Sequence, residues 1–443
     1  MAPVARGGFD MADEIFIEGG RVIDPAAGVD GPRTVVLRDG VVVEVAERVE
    51  RPREARTIDA RGRWVTPGFI DLHAHLREPG QEYKETVASG ARAAVAGGFS
   101  AVCAMPNTRP VNDSAAVTEL VLARAAAAGF ARVYPVGAIS RGSAGQELAE
   151  YGELKQAGCV ALSDDGKPVA SAALMRRALE YARAFALPLT VHEEDLALVG
   201  KGVMHEGAVS TRLGLLGIPG QAEDVMVLRD LALAELTGGR LHIAHLSTAG
   251  AVRAVREARA RGLPVTAEVT PHHLTLCDED VAASGYSTDY KMSPPLRSRA
   301  DVEACRAALA DGTIDAIATD HAPHSAVEKD VEFDAAANGI LGLETAFPVC
   351  LGLVREGRLT ERRLVEALTA GPARVFGLPG GTLARGAPAD VAILDPAAEW
   401  VVDVARLFSK SRNTPWKGKR LTGRCTHTIV AGRIVHEEGR TDR

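Results

Sequence analysis

Between residues 67 and 320 the chain repeats one pattern: a short apolar run, then an alanine-rich stretch that often stops at glycine. The apolar runs fall at 67–75, 99–105, 131–138, 159–164, 188–193, 240–246, 264–270 and 315–320. Segments such as Ala96-Gly-Gly98, Ala128-Gly-Phe130 and Arg261-Gly-Leu263 place a helix-ending glycine just before the next strand. Strands alternating with helices form a parallel sheet with helices packed on it. Eight such units predict a (β/α)8 barrel of TIM type over residues 64–381. A doubly wound sheet is the competing arrangement, but no G-x-G-x-x-G follows an early strand. The chain shows no repeat of solenoid period and no low-complexity segment.

The two ends have another rhythm. Glu14-Ile-Phe-Ile-Glu-Gly-Gly, Thr34-Val-Val-Leu-Arg-Asp-Gly and Val41-Val-Val-Glu-Val read as strands of a meander. Ala389-Asp-Val-Ala-Ile-Leu-Asp and Thr428-Ile-Val-Ala-Gly-Arg-Ile-Val look alike near the other end. Neither end carries much core alone, so residues 14–63 and 382–443 are expected to share one small composite β-sandwich. Residues 1–13 read as an extension.

The bulk numbers exclude several functions. A net charge of −7 argues against general affinity for nucleic acid or an anionic membrane. No apolar run is long enough to span a bilayer, and the start lacks a secretory signal. Six cysteines are widely spaced with no C-x-x-C pair, which predicts reduced, buried thiols in a cytoplasmic protein.

The chemistry lies at the downstream ends of the strands. His73 and His75 end the first, Asp165 the fourth, His192 the fifth, His245 the sixth and Asp320 the eighth. Alternation along a strand sends His73 and His75 to the same face. In a barrel, strand ends converge on one mouth, where active sites lie. Four imidazoles and two carboxylates exceed the shell of one zinc and suit two metals sharing a bridging carboxylate. Asp165 is the favoured bridge, with the neighbouring Asp164 as the alternative that spacing leaves open. Asp320 can bind one metal and carry a proton to a leaving nitrogen. The pattern predicts a metal-dependent hydrolase.

Arg77 lies two residues past His75 and offers a fork for a carboxylate. Asn107 ends the second strand and offers donors, and His324 lies four residues past Asp320. Together they predict a small substrate with a carboxylate and an amide-like bond. His242 is expected to face the helical layer, His321 to point away from the mouth, and His272 and His273 to be structural or to support a ligand. His205 falls in a loop, and His427 and His436 in the small domain.

Several segments closely resemble the bacterial dihydroorotases of the amidohydrolase superfamily. They are His73-Ala-His-Leu-Arg-Glu-Pro-Gly80, Met105-Pro-Asn-Thr108, Ser163-Asp-Asp-Gly166, Ser210-Thr-Arg-Leu-Gly214, Asp320-His-Ala-Pro-His324, Gly342-Leu-Glu-Thr345 and Ser409-Lys-Ser-Arg-Asn-Thr-Pro415. The resemblance implies reversible closure of N-carbamoyl-L-aspartate to (S)-dihydroorotate, a step of pyrimidine synthesis. It implies one zinc on His73, His75, Asp165 and Asp320, and a second on Asp165, His192 and His245. Arg77, Asn107 and His324 would hold the substrate, His75 would also face it, and Asp320 would be the acid/base. The loop from His324 to Gly339 would close over the site. Aspartate transcarbamoylase as a partner, and a homodimer, are further expectations of the likeness.

Two departures stand out. The family usually has Asn where Ser293 stands, a substrate position with less reach here. It commonly shows Pro-Phe where Ala337-Asn338 stands, although a backbone contact from Asn338 and Gly339 survives that change. Allantoinase and dihydropyrimidinase are rival readings, but they use a carbamylated lysine, and the nearby Lys167 is followed by Pro168. The rival from outside catalysis is an inactive scaffold for the transcarbamoylase; all six ligand positions are filled, which disfavours it.

Overall fold

Eight parallel strands hydrogen-bond to one another in sequence order. They are Phe69–Ala74, Phe99–Ala104, Arg132–Gly137, Ala161–Leu162, Leu189–Val191, Leu241–Ile243, Val265–Val269 and Ala316–Ile317. The seam between last and first is crossed by a parallel bridge from Ala74 to His321, where the His75 N–H donates to the His321 carbonyl at 2.9 Å. The result is the expected (β/α)8 barrel. The computed structural model describes residues 14–52 and 54–439, so the expected extension at 1–13 lies outside the described residues.

Local chemistry sets the elements. Thr86 caps the helix Val87–Ala96 by accepting from the Ser89 N–H, and Thr248 caps Ala249–Ala260 through Ala251. Gly129 ends the helix Ala115–Ala128 at φ 69°, and Gly262 follows Ala249–Ala260 at φ 83°. Both need the left-handed region that glycine enters freely.

One face of each barrel strand packs on the helices and the other fills the barrel. Ile70, Leu72, Ala101, Cys103, Val136, Ala161 and Ala316 join Phe376 and Leu378 in one buried cluster. Outside it, Phe69 meets Phe99 edge-on at 5.6 Å and Phe347 at 6.1 Å. Truncating any of these fully buried rings would cost about 3–5 kcal/mol. All six cysteines are buried and free. Among the described residues no helix is long and apolar enough to cross a membrane.

The β-rich ends do combine. A six-stranded sheet runs Arg433–Glu437, Arg420–Val430, Val391–Val401, Trp64–Pro67, Arg21–Asp24, Val29–Pro32, so it alternates segments from both ends. A four-stranded sheet of Val41–Ala46, Thr34–Arg38, Ile15–Glu18 and Arg56–Asp59 faces it. Ile15, Ile17, Val35 and Leu37 pack with Val65, Val391, Ile393 and Ile429 between them. Trp64–Pro67 pairs with Val391–Val401 and Arg21–Asp24, so this strand belongs to the outer sheet and not to the barrel that the sequence reading starts at residue 64.

His242 needs a second correction. It does not face the helices. Its ring packs 5.4 Å from that of Phe376, inside the barrel, and its Nε2 lies 3.1 Å from Glu268. Counting three residues onward would then turn His245 away. The chain instead leaves the strand after Ile243, and His245 sits at φ 32°, which swings its ring back to the mouth.

Candidate metal centre and substrate pocket

All six strand-end residues meet at the barrel mouth. His73 Nε2 is 3.3 Å from Asp165 and 3.6 Å from Asp320. His75 Nε2 is 3.1 Å from Asp320 and 3.4 Å from Asp165. His245 Nε2 is 3.4 Å from Asp165 and 2.9 Å from His192 Nδ1. His192 stands slightly further out, with Nδ1 3.8 Å from Asp165. At this mouth two sets of ligand atoms among the described residues are close enough to hold an ion: His73, His75 and Asp320, and His73, Asp165 and His245. Asp164 turns away, and its carboxylate accepts from the Ser140 N–H at 3.0 Å and from the Ser140 hydroxyl.

Backbone strain aims the groups. Arg77, His245 and Asp320 have φ of 62°, 32° and 45°, a region non-glycine residues rarely enter. Such strain persists only where surrounding packing enforces it, and it gathers at functional sites. For Asp320 the neighbouring Thr319 supplies the anchor, donating its N–H to Asp71 at 2.9 Å.

Glu268 is a central residue that the sequence reading passed over. It lies in the strand Val265–Val269, fully buried, and its carboxylate meets both His73 Nδ1 at 3.0 Å and His242 Nε2 at 3.1 Å. Burial would raise this carboxyl, but the two imidazoles outweigh burial and hold it at about 2. A carboxylate inside an otherwise apolar barrel strand was the available signal. With Nδ1 of His73 committed to Glu268, its Nε2 presents a lone pair to the cluster, and that buried nitrogen has no hydrogen-bond partner. A buried unpartnered imidazole nitrogen facing two carboxylates and more imidazoles fits a transition metal. Burial would also raise Asp165, yet the surrounding histidines, His73 foremost, hold it well below the usual carboxylate range.

The mouth opens into a cavity of about 450 Å³ lined by His75, Arg77, Asn107, Ser293, His324 and Asn338. Larger hollows of about 730 and 670 Å³ lie elsewhere on the molecule, but neither contains the imidazole–carboxylate cluster. Arg77 is buried, which pushes its guanidinium down to about 10, still a cation. Its Nη2 lies 3.2 Å from His324 Nε2, and its Nε donates to the Pro323 carbonyl. Burial and the nearby Arg77 and Lys84 cations push His324 down to about 3, so its ring is neutral. Asn107 Oδ1 accepts from His75 Nδ1 at 2.8 Å. Gly339 differs from its expected role, because its N–H is already donated to the Lys291 carbonyl at 2.9 Å. Glu194, Lys84 and Lys291 were not singled out from sequence. Glu194 and Lys291 line the cavity, and Lys84 pairs with Glu328 at 2.6 Å.

The remaining histidines stay out of the cluster. His321 contacts Glu85 at 3.3 Å and accepts from the Gly342 N–H. His273 is held between Thr270 and the Pro294 carbonyl.

A family model described as dihydro-orotase-like matches residues 62–251. A dihydroorotase of Anaeromyxobacter dehalogenans is 84% identical over 98% of this chain and 100% of its own length. A dihydroorotase of a Geobacter species is 54% identical over 96% and 100%. The chain belongs to the dihydroorotase family. It is a cyclic amide hydrolase by that membership and by its likeness to solved cyclic amidohydrolases. The L-hydantoinase (dihydropyrimidinase) of Arthrobacter aurescens superposes with a TM-score of 0.86 at 25% identity, covering 97% of each chain. A D-hydantoinase of a Thermus species gives 0.82 at 25% identity, covering 96% of each. Lys167, the one lysine near the bridge position in sequence, is exposed and extends toward the Ser143 carbonyl at 3.5 Å. It therefore stays clear of the imidazoles, where Asp165 and Asp320 are the carboxylates present.

Proposed function

We propose that this protein catalyses the reversible cyclisation of N-carbamoyl-L-aspartate to (S)-dihydroorotate, with two zinc ions per chain, in pyrimidine synthesis. The observation that carries the reading is the meeting of four imidazoles and two carboxylates beside a buried arginine at one cavity. His73, His75, Asp165 and Asp320 would hold one ion, and Asp165, His192 and His245 the other. Zinc, when bound, supplies Lewis-acid polarisation of a carbonyl and makes water more acidic.

The chain's own groups do the rest. Arg77 is a buried cation that matches the substrate carboxylate, and burial strengthens that pairing. His324, Asn107, Ser293 and Asn338 surround the same space and orient the ring. Asp320 lies within 3.1 Å of His75 and is held ionised by the histidines despite burial. In ring opening it takes a proton from the attacking water and passes it to the leaving ring nitrogen; closure reverses both steps.

The buried, free thiols suit a cytoplasmic enzyme. An aspartate transcarbamoylase partner and a homodimer belong to the same reading, and sedimentation of the protein with and without the transcarbamoylase tests both. The deciding experiment is metal analysis of purified protein alongside turnover of dihydroorotate, dihydrouracil and hydantoin. Zinc near two per chain with turnover of dihydroorotate alone supports the proposal. Preference for dihydrouracil would favour the dihydropyrimidinase reading, and metal-free inactive protein the scaffold.

A further inference from the structure

Lys329 is buried in the loop between His324 and Gly339, and the chemistry above leaves it without a task. Its ammonium donates to the Ala337 carbonyl at 2.8 Å and the Gly339 carbonyl at 3.1 Å. Those two peptides flank Asn338, which lines the cavity. The Gly339 carbonyl also accepts from Asn413 Nδ2 at 2.9 Å. Asn413 in turn accepts from the His324 N–H at 3.0 Å and donates to the Ala322 carbonyl at 3.0 Å. Two side chains thus tie both cavity-lining ends of the loop to a single carbonyl. Lys291 adds a bond to the Asp334 carbonyl at 2.8 Å.

A buried ammonium is costly unless its hydrogens are all used. Burial, joined by the repulsion of Lys291, pushes Lys329 down to about 8 against the opposing pull of Asp289 and Glu328. The Thr288 hydroxyl, which bonds the Lys329 carbonyl, fixes the same residue from behind. Space is tight as well: a Cβ on Gly339 would fall 2.5 Å from the Ala322 carbonyl oxygen, so the loop end lies flat against the segment that carries His324.

We propose that Lys329, acting with Asn413, is a positioning residue for substrate recognition: the pair clamps the loop so that His324 and Asn338 face the cavity before substrate arrives. The role rests on the dihydroorotase reading for its substrate, but the clamp itself is a property of the loop.

The test compares wild type with Lys329→Met, which keeps length and removes the donors. Loss of two charged hydrogen bonds should raise KM for dihydroorotate about tenfold or more while kcat changes about threefold at most. Zinc content should stay at the wild-type value. Hydrogen exchange should quicken in residues 324–339 and not in the barrel strands. Lys329→Gln, which can still reach one carbonyl, should recover part of the KM loss. Unchanged KM together with unchanged exchange would overturn the proposal. So would an equal loss of melting temperature and kcat with no exchange change confined to the loop, the mark of a purely structural lysine. Should Lys329→Met not fold, Asn413→Ala carries the same comparison from the other side of the shared carbonyl. If wild type itself does not turn over dihydroorotate, the substrate reading fails, while the exchange data still decide the clamp.

Discussion

Glu268 meets His73 Nδ1 at 3.0 Å and thereby turns His73 Nε2 toward Asp165 and Asp320. The same carboxylate holds His242, so one buried acid sets the direction of two rings. Replacing it with Gln keeps the shape but weakens the acceptor and frees the His73 tautomer. Partners of this kind are worth about 10–100-fold in metal affinity. Competitive zinc titration of Glu268→Gln should show a loss in that range, with the fold intact by circular dichroism.

Asp320 is placed to move the proton. Asp320→Asn keeps the volume and removes the base. General acid–base contributions run about 10²–10⁴-fold, so kcat should fall at least that far. Steady-state assays in both reaction directions check this; a wild-type rate would remove Asp320 from the mechanism.

Arg77 should act mainly on binding. Hydrogen bonds to charged groups contribute about 1.5–3 kcal/mol, so Arg77→Ala should raise KM roughly ten- to hundredfold with a smaller change in kcat. The loss should be smaller for a substrate analogue without the carboxylate, measured as an inhibition constant.

Arg297 tests stability. It pairs with Glu223 at 3.2 Å where both are almost fully buried, and Glu223 also accepts the Ser247 N–H just beyond His245. Arg297→Met leaves Glu223 buried without its cation, which costs about 3–5 kcal/mol. Urea denaturation of the two proteins should show a lowered midpoint.

Ser293 lines the cavity, at the position where the resemblance in sequence leads one to expect Asn. Ser293→Asn restores reach toward the substrate, so KM should stay level or fall. A large rise would show a pocket adapted around serine.

Much of this was legible before any coordinates. The eight apolar runs became eight parallel strands because backbone periodicity is local. The two β-rich ends met because neither could bury its apolar face alone. Strand alternation placed His73 and His75 together, with rings 5.3 Å apart. It failed at His242, whose direction was inferred from that of His245, because alternation holds only while the chain stays in the strand and the strand ends at Ile243. It missed Glu268 because an acid in an apolar run has no sequence partner; its partners come from strands one and six.

By itself, the sequence determined the strand–helix rhythm, the residue types at the strand ends and the family. Those follow from local spacing and short motifs. Only the tertiary structure decided that Asp165 and not Asp164 faces the imidazoles, that Glu268 orients His73, and that Lys329 and Asn413 share the Gly339 carbonyl. Each depends on side-chain direction and on contacts between segments far apart in the chain, which backbone closure of the barrel fixes and residue spacing does not encode.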